Sequence, residues 1–172
     1  MTWKIFSVAI LFVLSGCERQ SLIGEGDTAD FYILEEFRTQ ENSMAILEGT
    51  ALAGSEKIIG YNDILSYSPL TCTFIVSDSI SERLNDVSST SVHGTPFALV
   101  IGGEIIYTGY FWAGFSSRTV DWITIDPLDY TGDNSLPVTL GYPAGFAADE
   151  IPDKRNDPRL LSLLKRDDKL VD

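Results

Sequence analysis

The chain is poor in the side chains that most often hold metal ions or form catalytic pairs. It contains one histidine, His93, and two cysteines, Cys17 and Cys72. Zinc sites are built mainly from histidine and cysteine and need three or four ligands, so this supply nearly excludes them. A cysteine–histidine nucleophile pair would depend on His93 alone. We therefore expect no bound cofactor.

Positive charge is also scarce. Lysine and arginine together number 12 against 25 aspartates and glutamates, which gives a formal net charge of −13. Nucleic acids and anionic lipid headgroups are bound by surfaces rich in lysine and arginine, because these side chains neutralise phosphate. The composition therefore argues against nucleic acid as a partner. Any attachment to a membrane has to come from a source other than basic residues.

The sequence has little continuous apolar chain. The apolar run from Ile5 to Leu14 is too short to cross a bilayer, which takes about 20 helical residues. Lys4 precedes this run and small residues follow it. That order of a positive charge, a short apolar segment and small residues is typical of a secretory signal peptide.

The end of this segment, Leu14-Ser15-Gly16-Cys17, resembles the lipobox of bacterial lipoproteins. The resemblance implies that residues 1–16 are removed and that Cys17 is acylated as the new N-terminus. More than one acyl chain holds a protein on a membrane without basic residues. Glu18 replaces the aspartate that often marks inner-membrane retention, which implies the outer membrane, facing the periplasm, in a Gram-negative host. The alternative is an ordinary signal peptide with an incidental cysteine.

The rest of the chain has the size of one ordinary domain. Residues 17–30 are polar and contain glycine, as flexible tethers do. We predict a domain over residues 31–143 and a C-terminal extension over residues 144–172. The extension contains a helix at 158–166, because an aspartate, Asp157, and a proline mark its start. Its apolar stripe is expected to dock on the domain and consists of Leu160, Leu161 and Leu164.

The strongest pattern in the sequence predicts a β-hairpin over residues 97–111. Gly102-Gly103 supplies the positive φ angles of a tight turn, and apolar β-forming residues flank it on both sides. Symmetric pairing about this turn puts Leu99 and Ile106 on one face and Tyr107 on the other. Because both faces are apolar, the hairpin is expected at the centre of a mainly antiparallel sheet.

The remaining pattern predicts an α+β fold. A core helix is expected at about 78–88, where Ile80, Leu84 and Val87 share one face. In a strand at 71–76, alternation places Leu70 and Cys72 on one buried face with Phe74 and Val76. Further strands are predicted at residues 31–34, 119–125 and 136–142.

Two resemblances extend beyond the lipobox. Between residues 57 and 106 the chain contains, in this order, an aliphatic pair before Asp63-Ile64, a strand, a helix, and Gly-Thr-Pro before the hairpin. This order is similar to the periplasmic head of SecD-type export subunits, a module that works by contact. The chain lacks those subunits' transmembrane segments, so motor function is not implied. The second resemblance is to bacterial envelope lipoproteins without an assigned activity. It rests on three segments: Ile106 to Trp112, Gly141-Tyr-Pro143 and the terminal helical segment at 157–170.

One aromatic segment is a candidate binding surface. Tyr107, Tyr110, Trp112 and Phe115 are followed by Arg118. Exposed aromatic rings beside hydroxyl groups and an arginine suit glycans or peptides. The alternative is that these rings fill the core, as most large aromatic side chains do.

Two further sites have weaker support. Asp126, Asp129 and Asp133 offer oxygen ligands for calcium, but their spacing does not match a regular calcium loop. Ser116 or Ser117 could act with His93 as a serine hydrolase, although no Gly-x-Ser-x-Gly elbow surrounds them. We therefore expect a non-catalytic, lipid-anchored envelope protein that binds another envelope protein or a cell-wall component. The hydrolase is the alternative.

Overall fold

The computed structural model describes residues 23–90, 93–128 and 134–171. This part of the chain is an α+β domain in which eight strands form one mostly antiparallel sheet and two α-helices pack against it. The strands are β1 (Ala29–Glu36), β2 (Leu52–Ile59), β3 (Ile64–Ser68), β4 (Thr73–Val76), β5 (Thr95–Ile101), β6 (Glu104–Phe111), β7 (Val120–Ile125) and β8 (Ser135–Tyr142), and the helices are α1 (Ser81–Thr90) and α2 (Pro158–Arg166). Short 3-10 helices lie at Glu48–Thr50, Tyr61–Asp63, Asp78–Ile80 and Ala148–Glu150.

The strand order across the sheet is β2-β1-β5-β6-β7-β8-β4-β3. The predicted hairpin, β5 and β6, therefore lies inside the sheet with strands on both sides. β6 and β7 run parallel and pair at two positions, Tyr110 with Thr124 and Phe111 with Ile125. This short parallel ladder joins two groups of four strands, within each of which the pairing is antiparallel.

The hairpin turn forms as predicted, but its register differs from the symmetric one. Gly102 and Gly103 have φ angles of 58° and 83°, as a tight primed turn requires. The register shifts after Leu99, which pairs with Tyr107 rather than with Ile106. Leu99 and Tyr107 therefore share a face, and the predicted assignment to opposite faces was wrong. One extra residue in β6, a β-bulge, is the physical cause.

The core helix is confirmed, and one predicted strand face needs correction. Ile80, Leu84 and Val87 are buried, as their spacing predicted. Cys72 is also buried, with a positive φ angle of 52° just before β4 begins. Leu70 lies in the turn before it and is 87% exposed, so its predicted place on the buried face was wrong. The strand begins at Thr73, two residues later than the alternating pattern predicts.

Residues 23–30 belong to the folded domain rather than to the predicted tether. Asp30, inside β1, is buried; it pairs with Lys57 at 3.0 Å and accepts a hydrogen bond from the Tyr61 backbone N–H at 2.8 Å. The Arg166 guanidinium donates to the carbonyl oxygens of Gly24 at 2.6 Å and Asp27 at 3.0 Å. The last helix thus holds the first described residues of the chain. Residues 17–22 lie outside the described part.

The C-terminal extension is part of the same core. Its helix spans 158–166 as predicted, and the Asp157 side chain caps it by accepting from the Arg159 backbone N–H at 2.9 Å. Leu160, Leu163 and Leu164 are fully buried, which confirms docking. Leu161 is only partly buried, so Leu163 takes its predicted place in the stripe.

Candidate functional site

The structure divides the predicted aromatic surface into core and exposed parts. Tyr107, Tyr110 and Trp112 are buried, with exposed fractions of 0%, 3% and 2%. The Tyr110 hydroxyl donates to the Met44 carbonyl oxygen at 3.0 Å. These three rings therefore form part of the core and not an open binding platform. Phe115, in contrast, is 74% exposed.

Beside Phe115, three adjoining depressions form a groove that runs from the end of β6 to the start of β7. Their volumes are about 330, 400 and 490 Å³. The first two share Trp112 and Arg118 in their walls, and the last two share Met44 and Thr119. We call this feature the loop groove; it is lined by residues 39, 40, 42–44, 93, 94, 112, 113, 115–119, 121 and 146.

The floor of the loop groove depends on a close approach between Gly94 and Trp112. Gly94 has a φ angle of 74°, and a Cβ atom there would lie 2.4 Å from Cε3 of the indole ring. Only glycine lets the ring pack against the backbone at this point. The Trp112 backbone N–H donates to the Ile125 carbonyl oxygen at 2.8 Å, which holds the main chain of Trp112 at the end of β6.

Loop 37–46 forms one wall and is held firmly. The Met44 backbone N–H donates to Oδ1 of Asp121, in β7, at 2.7 Å. The Phe37 ring meets the Tyr110 ring edge-on, with centroids 6.4 Å apart. The wall is therefore fixed in place without a ligand, which lowers the entropy cost of binding.

His93 and Arg118 meet in the middle of the loop groove. Nη1 of Arg118 lies 2.6 Å from Nδ1 of His93. Arginine can only donate, so Nδ1 accepts in a neutral ring and the ring proton is assigned to Nε2. In this tautomer neither ring nitrogen is free to take a proton from a serine. Ser116 Oγ, which lines the same depression, accepts from the Arg118 backbone N–H at 3.3 Å.

Phe146 lies in the third depression and is 43% exposed. Sequence reasoning did not identify it, nor Met44 and Asp121, as residues of a site. They are far from Phe115 in sequence, and no local motif marks them. The chain folds them together because loop 143–147 follows β8 beside the start of β7, where the loop after β6 also arrives, and because loop 37–46 is bonded to Asp121 there.

Of the three weak metal candidates, only Asp126 lies in the part of the chain that is described. Asp126 accepts from the Leu128 backbone N–H at 2.9 Å, an ordinary turn contact. Asp129 and Asp133 lie outside the described residues. Within residues 23–90, 93–128 and 134–171, no three His, Cys, Asp or Glu side chains are placed to hold a metal ion.

The predicted lipidation site, Cys17, also lies outside the described residues. Among the helices of the described ranges, none has the length and apolar content to cross a bilayer. Comparison with protein-family models, with curated proteins and with solved structures gave no match to this chain.

Proposed function

We propose that this chain is a lipid-anchored protein of the bacterial envelope whose domain acts by binding rather than by catalysis. Its partner in this proposal is another envelope protein or a cell-wall component, held in the loop groove. The observation that carries the proposal is the segment Leu14-Ser15-Gly16-Cys17 directly after a signal-like apolar run. The similarity to the SecD-type head, a module that works by contact, supports binding.

The placement of the groove also supports this proposal. β1 begins opposite Ile101, next to the hairpin turn, whereas the first depression of the groove lies at the other end of the hairpin, where Thr95 pairs with Phe111. The seven residues of β5 separate these ends by about 20 Å. The six residues from Cys17 to Ile23 reach at most about 20 Å. An acylated Cys17 would therefore keep the turn near the membrane and the first depression of the groove farther from it.

Anchoring is tested by replacing each cysteine in turn. We expect the wild-type protein and Cys72→Ser to sediment with membranes, because Cys72 is buried in the domain. Cys17→Ser should appear in the soluble fraction, and mass spectrometry should find acyl chains only on the N-terminus of the first two. A Cys17→Ser protein that stays with the membrane would contradict the proposal. In a Gram-negative host, we expect density-gradient fractionation to place the wild type in the outer membrane.

A serine hydrolase is the second candidate, because Ser116, Ser117 and His93 line the same depression. The contact of His93 with Arg118 works against it, since Nδ1 is already an acceptor. A fluorophosphonate probe, which labels activated serines covalently, separates the two functions. The binding function predicts no labelling. Labelling that disappears in Ser116→Ala or Ser117→Ala would establish the hydrolase.

A further inference from the structure

We propose that the loop groove binds an extended glycan strand, of the kind built from N-acetylated hexosamines. This inference rests on the proposed binding function and names its ligand class. The groove is long and open, because three depressions follow one another and share walls. A pocket for one small molecule is more often a single enclosed and mainly apolar cavity. A linear polymer fits the observed shape better.

The side chains along the groove match the surface of a sugar chain. Phe115 and Phe146 stand exposed in the first and third depressions. An aromatic face packs against the C–H face of a sugar ring, while the ring's hydroxyl and acetamido groups need hydrogen-bonding partners. Between the two aromatic rings the lining is rich in hydroxyl and amide groups, from Gln40, Asn42, Ser43, Ser116, Ser117 and Thr119.

Arg118 adds a donor with no carboxylate partner among the described residues. Arg83, Arg155, Arg159 and Arg166 each pair with a carboxylate, as expected in a chain of net charge −13, whereas Arg38, outside the groove, forms no such pair among the described residues. Arg118 contacts the ring of His93 instead and remains exposed in the groove. Its remaining N–H groups suit an acetamido oxygen or an isolated sugar carboxylate.

An extended peptide fits the groove less well. Peptides that bind as strands pair their backbone with an exposed sheet edge. The edges of this sheet are β2 and β3, and neither contributes a side chain to the groove. The overall acidic charge also disfavours strongly anionic polymers, since repulsion opposes their approach. A neutral or weakly acidic glycan avoids both difficulties.

The test is co-sedimentation of the full-length, detergent-extracted protein with insoluble glycan strands of β-1,4-linked N-acetylhexosamines from which all peptides have been removed. We expect saturable binding. Phe115→Ala and Phe146→Ala should each raise Kd at least tenfold, equivalent to about 1.4 kcal/mol. Leu70→Ala is the matched control, because Leu70 is a highly exposed apolar side chain outside the groove, and it should bind like the wild type.

Folding is checked by thermal unfolding of each variant, which should barely change for Phe115→Ala because that ring is 74% exposed. The inference is overturned if the glycan does not bind or if the two phenylalanine variants bind as tightly as Leu70→Ala. It is also overturned if the released wall peptides bind and the glycan does not. These failures would leave the Cys17→Ser result standing. A membrane-bound Cys17→Ser protein would instead contradict the anchoring proposal, whatever the glycan measurement gives.

Discussion

Two separate effects favour glycine at position 94, and their contributions to the free energy of unfolding can be measured separately. A side chain at this position would strain a backbone with a φ angle of 74° and would also collide with the Trp112 ring. We predict that Gly94→Ala lowers the free energy of unfolding by about 1–3 kcal/mol. Gly103→Ala is the control, because Gly103 has a φ angle of 83° but open space around it, so it should lose less. Urea unfolding followed by tryptophan fluorescence measures both, and equal losses would contradict the packing argument.

Asp167 makes part of the domain's stability depend on pH. Its carboxylate accepts from Arg166 at 2.7 and 2.8 Å and from the Tyr61 hydroxyl at 2.6 Å. The Arg166 guanidinium, followed by the Tyr61 hydroxyl, lowers the pKa of Asp167 to about 2. The folded state therefore takes up this proton at a lower pH than the unfolded state. The stabilisation is present above about pH 4 and is lost as the pH falls towards 2.

We predict that Asp167→Asn removes this contribution. The difference in unfolding free energy between wild type and variant should be largest near pH 5 and should shrink towards pH 2. Urea unfolding at several pH values measures it. A difference that stays constant over this range would mean that the Asp167 charge contributes nothing.

At the level of secondary structure, α2 offers a direct comparison of buried and partly exposed leucines. Leu163 is fully buried, whereas its neighbour Leu161 is only partly so. We predict that Leu163→Ala lowers the free energy of unfolding by roughly 2–5 kcal/mol, because it leaves a cavity under the helix. Leu161→Ala should cost less. Thermal and urea unfolding test this, and a larger loss for Leu161→Ala would contradict the placement of the helix.

Most of the elements could be predicted because each has a local cause, but no strand was predicted where β2 and β3 lie. The glycine pair marked the hairpin turn, and Asp157 with Pro158 marked the start of α2. The bulge after Leu99 could not be predicted, since nothing in the local pattern shows which strand carries an extra residue. The predicted burial of Leu70 was wrong for a related reason. Leu70 continues the alternating apolar pattern, but it lies in the turn that precedes β4 and not in the strand.

For the whole molecule, Arg166 joins the end of α2 to the first residues that the structure describes. Its guanidinium donates to the carbonyl oxygens of Gly24 and Asp27, which precede it in the sequence by 142 and 139 residues. We predict that Arg166→Ala increases protease cleavage within residues 23–28 under native conditions, because local opening exposes that segment. Lys165→Ala, at the exposed neighbouring position, is the control and should be cleaved like the wild type. Limited proteolysis with mass spectrometry measures the site, and unchanged cleavage in Arg166→Ala would show that the contact does not hold the segment.

The loop groove could be predicted only in part. The segment from Trp112 to Arg118 could be predicted as part of a binding surface because it combines aromatic, hydroxyl and basic side chains within a few residues. Its other wall comes from residues 39–44 and 146, which no spacing rule connects to it. The sequence also did not determine which rings are buried. Trp112 and Phe115 are both large aromatic residues of the same short segment, and only their tertiary surroundings make one buried and the other exposed.

The pairing of β1 with β5 has a mechanical consequence. The two strands pair at consecutive positions, from Ala29 with Ile101 to Ile33 with Phe97. β1 runs from beside the hairpin turn towards loop 37–46, which forms one wall of the groove. A protein held by a lipid at one end and by a ligand at the other would feel tension along β1. The hydrogen bonds of an antiparallel pair lie perpendicular to the strands, so such a pull loads them together instead of opening them one by one. The domain would then act as a shear-resistant link between membrane and ligand.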